Sequence, residues 1–512
     1  MMDISQERMP FVEALEAYTK AGFTAFHTPG HKLGVGAPST LKEWMNPALP
    51  YDLGVMYALD DLHEPEGVLK EAQDLAAQLY GAEQTWFSIN GTTAIIEAMI
   101  MAAVGPGDTI IIPREAHRSV MGGLLLSGAK PVYLEGRFDE RWGVPLGTTA
   151  AEVERVFTAH PEAKALLLVN PNYYGIAIDL EAIIEIAHAH NVIVLVDEAH
   201  GAHLPFGRNL PPSALACGAD IVAQSTHKLV GSLTQTSMLH CQGPRVNRRR
   251  LTQVQQVLQS TSPNYIFLAS LDMARHQLAT EGAKLVGQAE ALAHQLRQAL
   301  QAIPGIAVPE ASDFSDIFAY DQTKVLIDFK ALGLTGGEAE RLLRREGIEV
   351  ELVQGYHVLV LITIGDTLGS INQLVEAVRH IAYRVISQET AEINSDNQSF
   401  TSVDGEMKQT LSGEDTPQDV AIESTKLPVP EVVLTPREGF YRPVISVPLA
   451  TAIGRICGET ISYYPPGIPF IAVGERITPA VVEYIRERQA LGYIPNGSAD
   501  KSLTMIQVIE DI

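Results

Sequence analysis

Val192-Ile193-Val194-Leu195-Val196-Asp197-Glu198-Ala199-His200 opens with five apolar residues in a row and stops on a carboxylate. A run that is apolar without alternation marks a parallel strand covered by helices on both faces. Similar runs occur at residues 109–112, 132–134, 165–169 and 221–223, with helical patterns such as 180–190 between them. Together they predict a doubly wound α/β domain over about residues 80–240, whose ligands bind beyond the carboxyl ends of the strands. Asp197 and Ser225 each follow a run directly, so both are expected on that rim.

Lys228 stands in Gln224-Ser225-Thr226-His227-Lys228, 31 residues after Asp197, and Gly231-Ser232-Leu233-Thr234-Gln235-Thr236 follows it. A lysine in such a turn is poorly explained as a solvated surface charge. A carboxylate with a later lysine is how an enzyme holds pyridoxal phosphate (PLP). The lysine forms the Schiff base and the carboxylate keeps the pyridine nitrogen protonated, so that the ring accepts electrons. In that role Lys228 is expected to have a depressed pKa.

Asn90-Gly91-Thr92-Thr93 precedes an apolar-periodic helix that ends at Gly105-Pro106. The turn offers free N–H groups, two hydroxyls and a positive dipole end, which suit a phosphate; a threonine before a helix is also an ordinary cap. Ser225 and His227, on another rim loop, strengthen the phosphate reading. His117, in Arg114-Glu115-Ala116-His117-Arg118-Ser119, reads either as an imidazole stacked on the cofactor or as a loop histidine satisfied by a carbonyl. Asp197-Glu198-Ala199-His200 also spells a helicase box, but the chain has no G-x-x-x-x-G-K-[ST] loop to hold a nucleotide. His200 and His203 lack a third ligand at metal-site spacing, so no metal is expected.

The 512 residues are too many for one core and predict two or three domains. A net charge of −24 argues against nucleic acid or an anionic membrane as the main partner and favours cationic small molecules. Such acidity also serves solubility alone. The first twenty residues carry Asp3, Glu7, Glu13 and Glu16, and no uncharged apolar run reaches about 18 residues, so neither signal peptide nor membrane span is expected. Cys217, Cys241 and Cys457 are far apart and odd in number, as in a reducing cytoplasm. The expected organisation is an N-terminal segment at 1–80, a PLP-binding domain at 81–273 and a small α/β domain at 274–387, with strands at 325–329 and 358–362. A disordered polar linker at 388–426 and a C-terminal domain at 427–512 follow.

These motifs, with Phe26-His27-Thr28-Pro29-Gly30-His31-Lys32, Asp60-Asp61-Leu62-His63, Thr261-Ser262-Pro263-Asn264-Tyr265 and Tyr464-Pro465-Pro466-Gly467-Ile468-Pro469, resemble the Orn/Lys/Arg decarboxylase family over most of the chain. The resemblance implies PLP fold type I: an aspartate aminotransferase-like major domain with a mainly parallel seven-stranded sheet, a smaller α/β domain and a C-terminal α+β domain. It implies Lys228, His117, Asp197 and His227 as catalytic residues. Thr92, Thr93, Ala199, His200, Ser225 and Thr261 join them around the cofactor, with Thr261 reaching into a neighbouring subunit and Glu459 facing the cationic end of the substrate. It also implies a homodimer at least, with the active site at the subunit interface. Three features depart from the family pattern. Ile96-Glu97 replaces a frequent Gly-Asn, Glu115 replaces a common asparagine, and the motif series starts by residue 26 without the N-terminal wing of large enterobacterial members, which favours dimers or tetramers over decamers.

The implied reaction is decarboxylation of a basic amino acid for polyamine synthesis. L-Arginine to agmatine stands first, lysine to cadaverine next and ornithine to putrescine third. Another PLP reaction on the same fold, such as transamination, shares Asp197 and Lys228 but not the Pro-Gly-His-Lys and Tyr-Pro-Pro-Gly elements. An inactive regulator is at odds with intact Lys228, Asp197 and His117.

Overall fold

The computed structural model describes residues 5–395, 426–463, 467–490 and 492–510. Its centre is a seven-stranded sheet: β1 (Gln84–Ser88), β2 (Thr109–Pro113), β3 (Lys130–Leu134), β4 (Ala163–Val169), β5 (Ile193–Asp197), β6 (Ile221–Gln224) and β7 (Ser237–Cys241). Their order across the sheet is β1-β7-β6-β5-β4-β2-β3, with β7 antiparallel to both neighbours and the other contacts parallel.

The sheet is buried on both faces, which is why its parallel strands are apolar throughout. Ile111, Leu166, Leu168, Val194 and Val196 pack into one core, while Ile110, Ile112, Leu167 and Leu195 pack into the other. Successive side chains point to opposite faces, so each strand needs apolar residues at every position. β1 and β7 lie outside the predicted runs because they carry polar residues inside. Thr85 bonds His240 Nδ1 at 2.7 Å, and His240 Nε2 bonds Gln224 at 3.1 Å. Gln224 in turn donates to Glu198 at 2.7 Å. This satisfied chain lets polar side chains occupy fully buried strands.

Helix Tyr265–Gln301 leads from this sheet into a small domain, where strand Lys324–Asp328 pairs with His357–Leu361, which pairs with Leu352–Gln354, all antiparallel. Helices Gly336–Arg345 and Leu368–Ser395 cover that sheet around a separate core. The last helix runs past residue 388, where the polar linker was expected to begin; the linker from 396 to 425 lies outside the described residues. The C-terminal part has its own core beneath strands Val444–Pro448, Ile461–Tyr463, Ile468–Ile471 and Met505–Ile509 and helix Pro479–Ala490. Of its expected turn, Tyr464, Pro465 and Pro466 lie outside the described residues. Among the described residues no helix is long and apolar enough to cross a membrane, and all three cysteines are free.

Candidate active site

Three strands end level at the rim. Asp197, the last residue of β5, is in register with Val169 of β4 and Ala223 of β6. It is 4% exposed, and its Oδ1 accepts the Ala199 N–H at 3.1 Å. Lys228 lies in the short helix Thr226–Leu229 that follows β6, and its Nζ is 2.9 Å from His200 Nε2. The loop after β4 brings Tyr173, whose ring lies 5.7 Å from Lys228 Nζ and 4.3 Å from the His200 ring. The Tyr173 hydroxyl donates to Glu351 of the small domain, which closes over the rim on this side.

Electrostatics tie these groups together. Burial pushes the Lys228 ammonium below its ordinary pKa, and Asp197 and Glu351 pull it back up. Burial pushes the Asp197 carboxyl up, and Lys228 pulls it back down. Burial, with Lys228 and Lys324 as further causes, holds His200 well below the usual imidazole range. Taken together, these shifts describe a dry pocket that accepts a nucleophilic amine beside a carboxylate.

The phosphate expectation meets a matching donor set. Helix Gly91–Ala103 has no side-chain cap on its first N–H groups. In the same place Thr92 Oγ1 bonds both Ser225 Oγ and, at 2.7 Å, Ser237 Oγ. Ser237 carried no signal in the sequence, since a serine opening a strand has many ordinary uses. Thr93 is exposed, one residue further along the same turn. An uncapped helix start ringed by hydroxyls suits a phosphate ester, and a buried carboxylate and lysine on the adjoining strand ends suit a pyridine ring. The residues present therefore fit PLP.

His117 caps helix Arg118–Ser127, its Nδ1 accepting the Ser119 N–H at 3.2 Å and lying 2.8 Å from Ser119 Oγ. Burial, then Lys228 and Arg118, push it down to about 4, so the ring is neutral and its Nε2 is left unused by these bonds. His227 Nδ1 donates to the Thr236 carbonyl at 2.6 Å.

Two expected residues are not brought to this cluster. Thr261 lies on the exposed surface beside Ser260, whose carbonyl bonds His63 Nε2 at 2.9 Å. Glu459 is buried in the C-terminal core, where its oxygens accept the Ala499 and Gln507 N–H groups at 2.8 and 3.0 Å. His203 turns away from His200 toward Asp321, which also pairs with the fully buried Lys324. Lys324 Nζ in turn donates to the His200 carbonyl at 3.2 Å, so an ion pair unseen in the sequence braces the histidine beside Lys228.

The loop carrying His117 is gripped from the C-terminal part. Arg114 donates to both oxygens of Glu475 at 2.7 and 3.2 Å, to Phe470 O at 2.7 Å and to Pro428 O at 3.0 Å. The pair is 4% and 2% exposed, and Tyr133 donates to the same carboxylate at 2.7 Å. The Arg118 N–H reaches Gly467 O at 3.1 Å.

Comparison with known proteins adds to this geometry. The chain is 41% identical over 515 residues to an arginine decarboxylase of Bacillus subtilis, covering 99% of each protein. It is 40% identical to an arginine decarboxylase of Bacillus anthracis, over 100% of this chain and 99% of the relative. The solved structure of lysine decarboxylase A from Pseudomonas aeruginosa superposes with a TM-score of 0.81 at 23% identity, over 98% of this chain and 80% of that one, so the fold is shared. The model for the Orn/Lys/Arg decarboxylase major domain matches residues 9–370, and that for the family's C-terminal domain matches residues 421–493. With the lysine, the carboxylate and the hydroxyl-ringed helix start assembled on one rim, the chain belongs to the Orn/Lys/Arg decarboxylase family, a family of PLP-dependent enzymes.

Proposed function

We propose that this protein decarboxylates L-arginine to agmatine and CO2, using PLP held through Lys228. The observation that carries the choice of arginine is the likeness, over the full length, to arginine decarboxylases. PLP, when bound, supplies a pyridinium that takes up the electrons left behind when CO2 departs.

The chain's own residues do the rest. Asp197, with one oxygen held by the Ala199 N–H, offers the other to keep a proton on the ring nitrogen. Thr92, Ser225 and the start of helix Gly91–Ala103 would hold the phosphate, with His227 and Ala199 as further residues around the cofactor. The neutral His117 would pack on the cofactor without adding a positive charge beside Lys228. His227 holds its proton on Nδ1 against a carbonyl, and burial pushes its pKa down, so its Nε2 has no proton to give. Lys228 Nζ is then the acid that returns a proton to Cα, with His200 Nε2 steering it. The small domain, through Glu351 and Tyr173, closes the pocket against water.

The active form is a homodimer. The support lies in residues 23–57, where Phe26 and Trp44 are 92% and 80% exposed and Phe23, Val35 and Tyr57 are also bare. So many large apolar side chains on one segment call for a partner surface. Thr261, exposed in one chain, would reach the partner's site across this interface, and Glu459 would act on the substrate only indirectly, by holding the C-terminal backbone.

Release of CO2 from L-arginine, L-lysine and L-ornithine, measured side by side, tests the reaction. Arginine should be turned over at least about tenfold more efficiently than either rival, and Lys228→Ala should abolish turnover together with the visible absorbance of the bound cofactor. Equal or greater turnover of lysine would overturn the choice of arginine. A keto acid product would overturn decarboxylation itself.

A further inference from the structure

Between the rim of the main sheet, the small domain and the C-terminal part lies a cavity of about 370 Å3, within the size range of small-molecule sites. Lys228, Asp197, His117, Thr92 and Ser225 do not line it. Its walls come from the loop before His117, from Tyr174 and Gln354, and from helix Pro479–Ala490 with the adjoining Tyr463 and Tyr493.

This cavity is lined by polar groups that the described residues of the chain pair only in part. Among the described residues Glu115 makes no ion pair, and its carboxyl is pushed up by burial, with its own backbone N–H offsetting this. The Tyr463 hydroxyl is buried without a hydrogen-bond partner, although its ring is stacked 5.2 Å from Phe470. Arg488 is 5% exposed, its guanidinium lying 4.8 Å from the Tyr484 ring and 5.5 Å from that of Tyr493; it bonds the Tyr484 side chain and, among the described residues, makes no salt bridge. A buried hydroxyl left in this way is costly unless something completes it.

Glu115 comes from the loop before His117 and Arg488 from helix Pro479–Ala490, so the two stand on separate walls, with Glu135, Arg137 and Lys426 also in the lining. An occupant that answers both must carry a cation and a carboxylate held apart by an apolar stem that can lie along tyrosine rings. A simple amine lacks the anion, and a neutral amino acid lacks the separation.

We propose that this cavity is a second site, distinct from the Lys228 pocket, for a basic amino acid whose side-chain cation meets Glu115 and whose α-carboxylate meets Arg488, with the Tyr463 hydroxyl bonding the ligand. Occupancy would bear on the active site by contiguity, because Glu115 is two residues from His117 and Tyr174 follows Tyr173. The inference does not depend on which reaction Lys228 performs.

The test is equilibrium dialysis of borohydride-reduced holoenzyme against labelled L-arginine, L-lysine, agmatine and L-citrulline. Reduction prevents turnover at Lys228, and release of CO2 by the unreduced enzyme is scored separately, so failure of the reaction and failure of this site are told apart. One equivalent of arginine or lysine per chain is expected, with the preferred one of the two identifying the source. Agmatine, without the carboxylate, and citrulline, without the side-chain cation, should each bind at least about tenfold more weakly. Glu115→Gln should weaken arginine by a similar factor while leaving the thermal unfolding midpoint unlowered. Arg488→Met should do the same to arginine and leave agmatine unchanged. The site is overturned by absence of binding, by citrulline or agmatine binding as tightly as arginine, or by arginine binding that is unchanged in Glu115→Gln.

Discussion

Lys228 and Asp197 are held in a balance in which burial works against the charge on each and each restores the charge on the other. Asp197→Asn upsets that balance with little change of shape, because the amide oxygen can still accept the Ala199 N–H. Decarboxylation should fall by about 10²–10³-fold, the usual cost of removing one preorganised electrostatic partner, while cofactor content, read from absorbance, stays near that of the wild type. Unchanged turnover would remove Asp197 from the reaction. These two residues were legible in the sequence because the chemistry demands their types at strand ends. Tyr173 and Glu351 were not, because a tyrosine after a strand and a glutamate in another domain acquire meaning only when folding brings them to the same lysine. Ser237 and Lys324 escaped for the same reason, whereas Thr261 and Glu459, marked by motif, lie apart from the cluster within one chain.

At the scale of elements, the buried chain from Thr85 through His240 and Gln224 to Glu198 binds β1 and β7 to the rest of the sheet. It also explains why those two strands were hidden while the five apolar runs were plain: cross-strand hydrogen bonds replaced the apolar signal. Burial pushes Glu198 up from 4.5 to about 8, outweighing the bonds from Gln224 and Ala214. The folded protein thus binds a proton that the unfolded chain has already released over this interval, and stability must drop as pH rises through it. The contribution of Glu198 is full below about pH 4.5 and lost as pH climbs through 8. In scanning calorimetry the midpoint of Glu198→Gln should therefore decline less than that of the wild type between pH 5 and 9. Parallel curves would show that Glu198 does not titrate there.

For the whole molecule, the exposed apolar segment and the acidic surface have different jobs. A net charge of −24 favours cationic substrates and keeps copies apart, so the contact in the proposed homodimer would have to be apolar and local, of the kind that Phe26 and Trp44 offer. Phe26→Lys with Trp44→Lys should convert the proposed dimer to monomers in sedimentation velocity and lower turnover by at least about tenfold, since buried aromatic anchors dominate such contacts. A double variant that stays dimeric would move the interface elsewhere. The major fold was readable at this scale because its parallel strands need apolar residues on both faces. How the C-terminal part is fastened was not, because Arg114 and Glu475 are 361 positions apart and the motif around Arg114 gives no sign of its distant partner.

That buried pair has a consequence for heredity. Replacing Glu475 alone would strand a desolvated guanidinium at a cost of about 3–5 kcal/mol, in the loop that aims His117. The C-terminal part is therefore not an interchangeable module. A chimera that takes its first 395 residues from this protein and the remainder from a relative inherits a working His117 only where the incoming partner brings its own carboxylate to Arg114. The ion pair acts as a compatibility lock, constraining which recombinants between lineages survive.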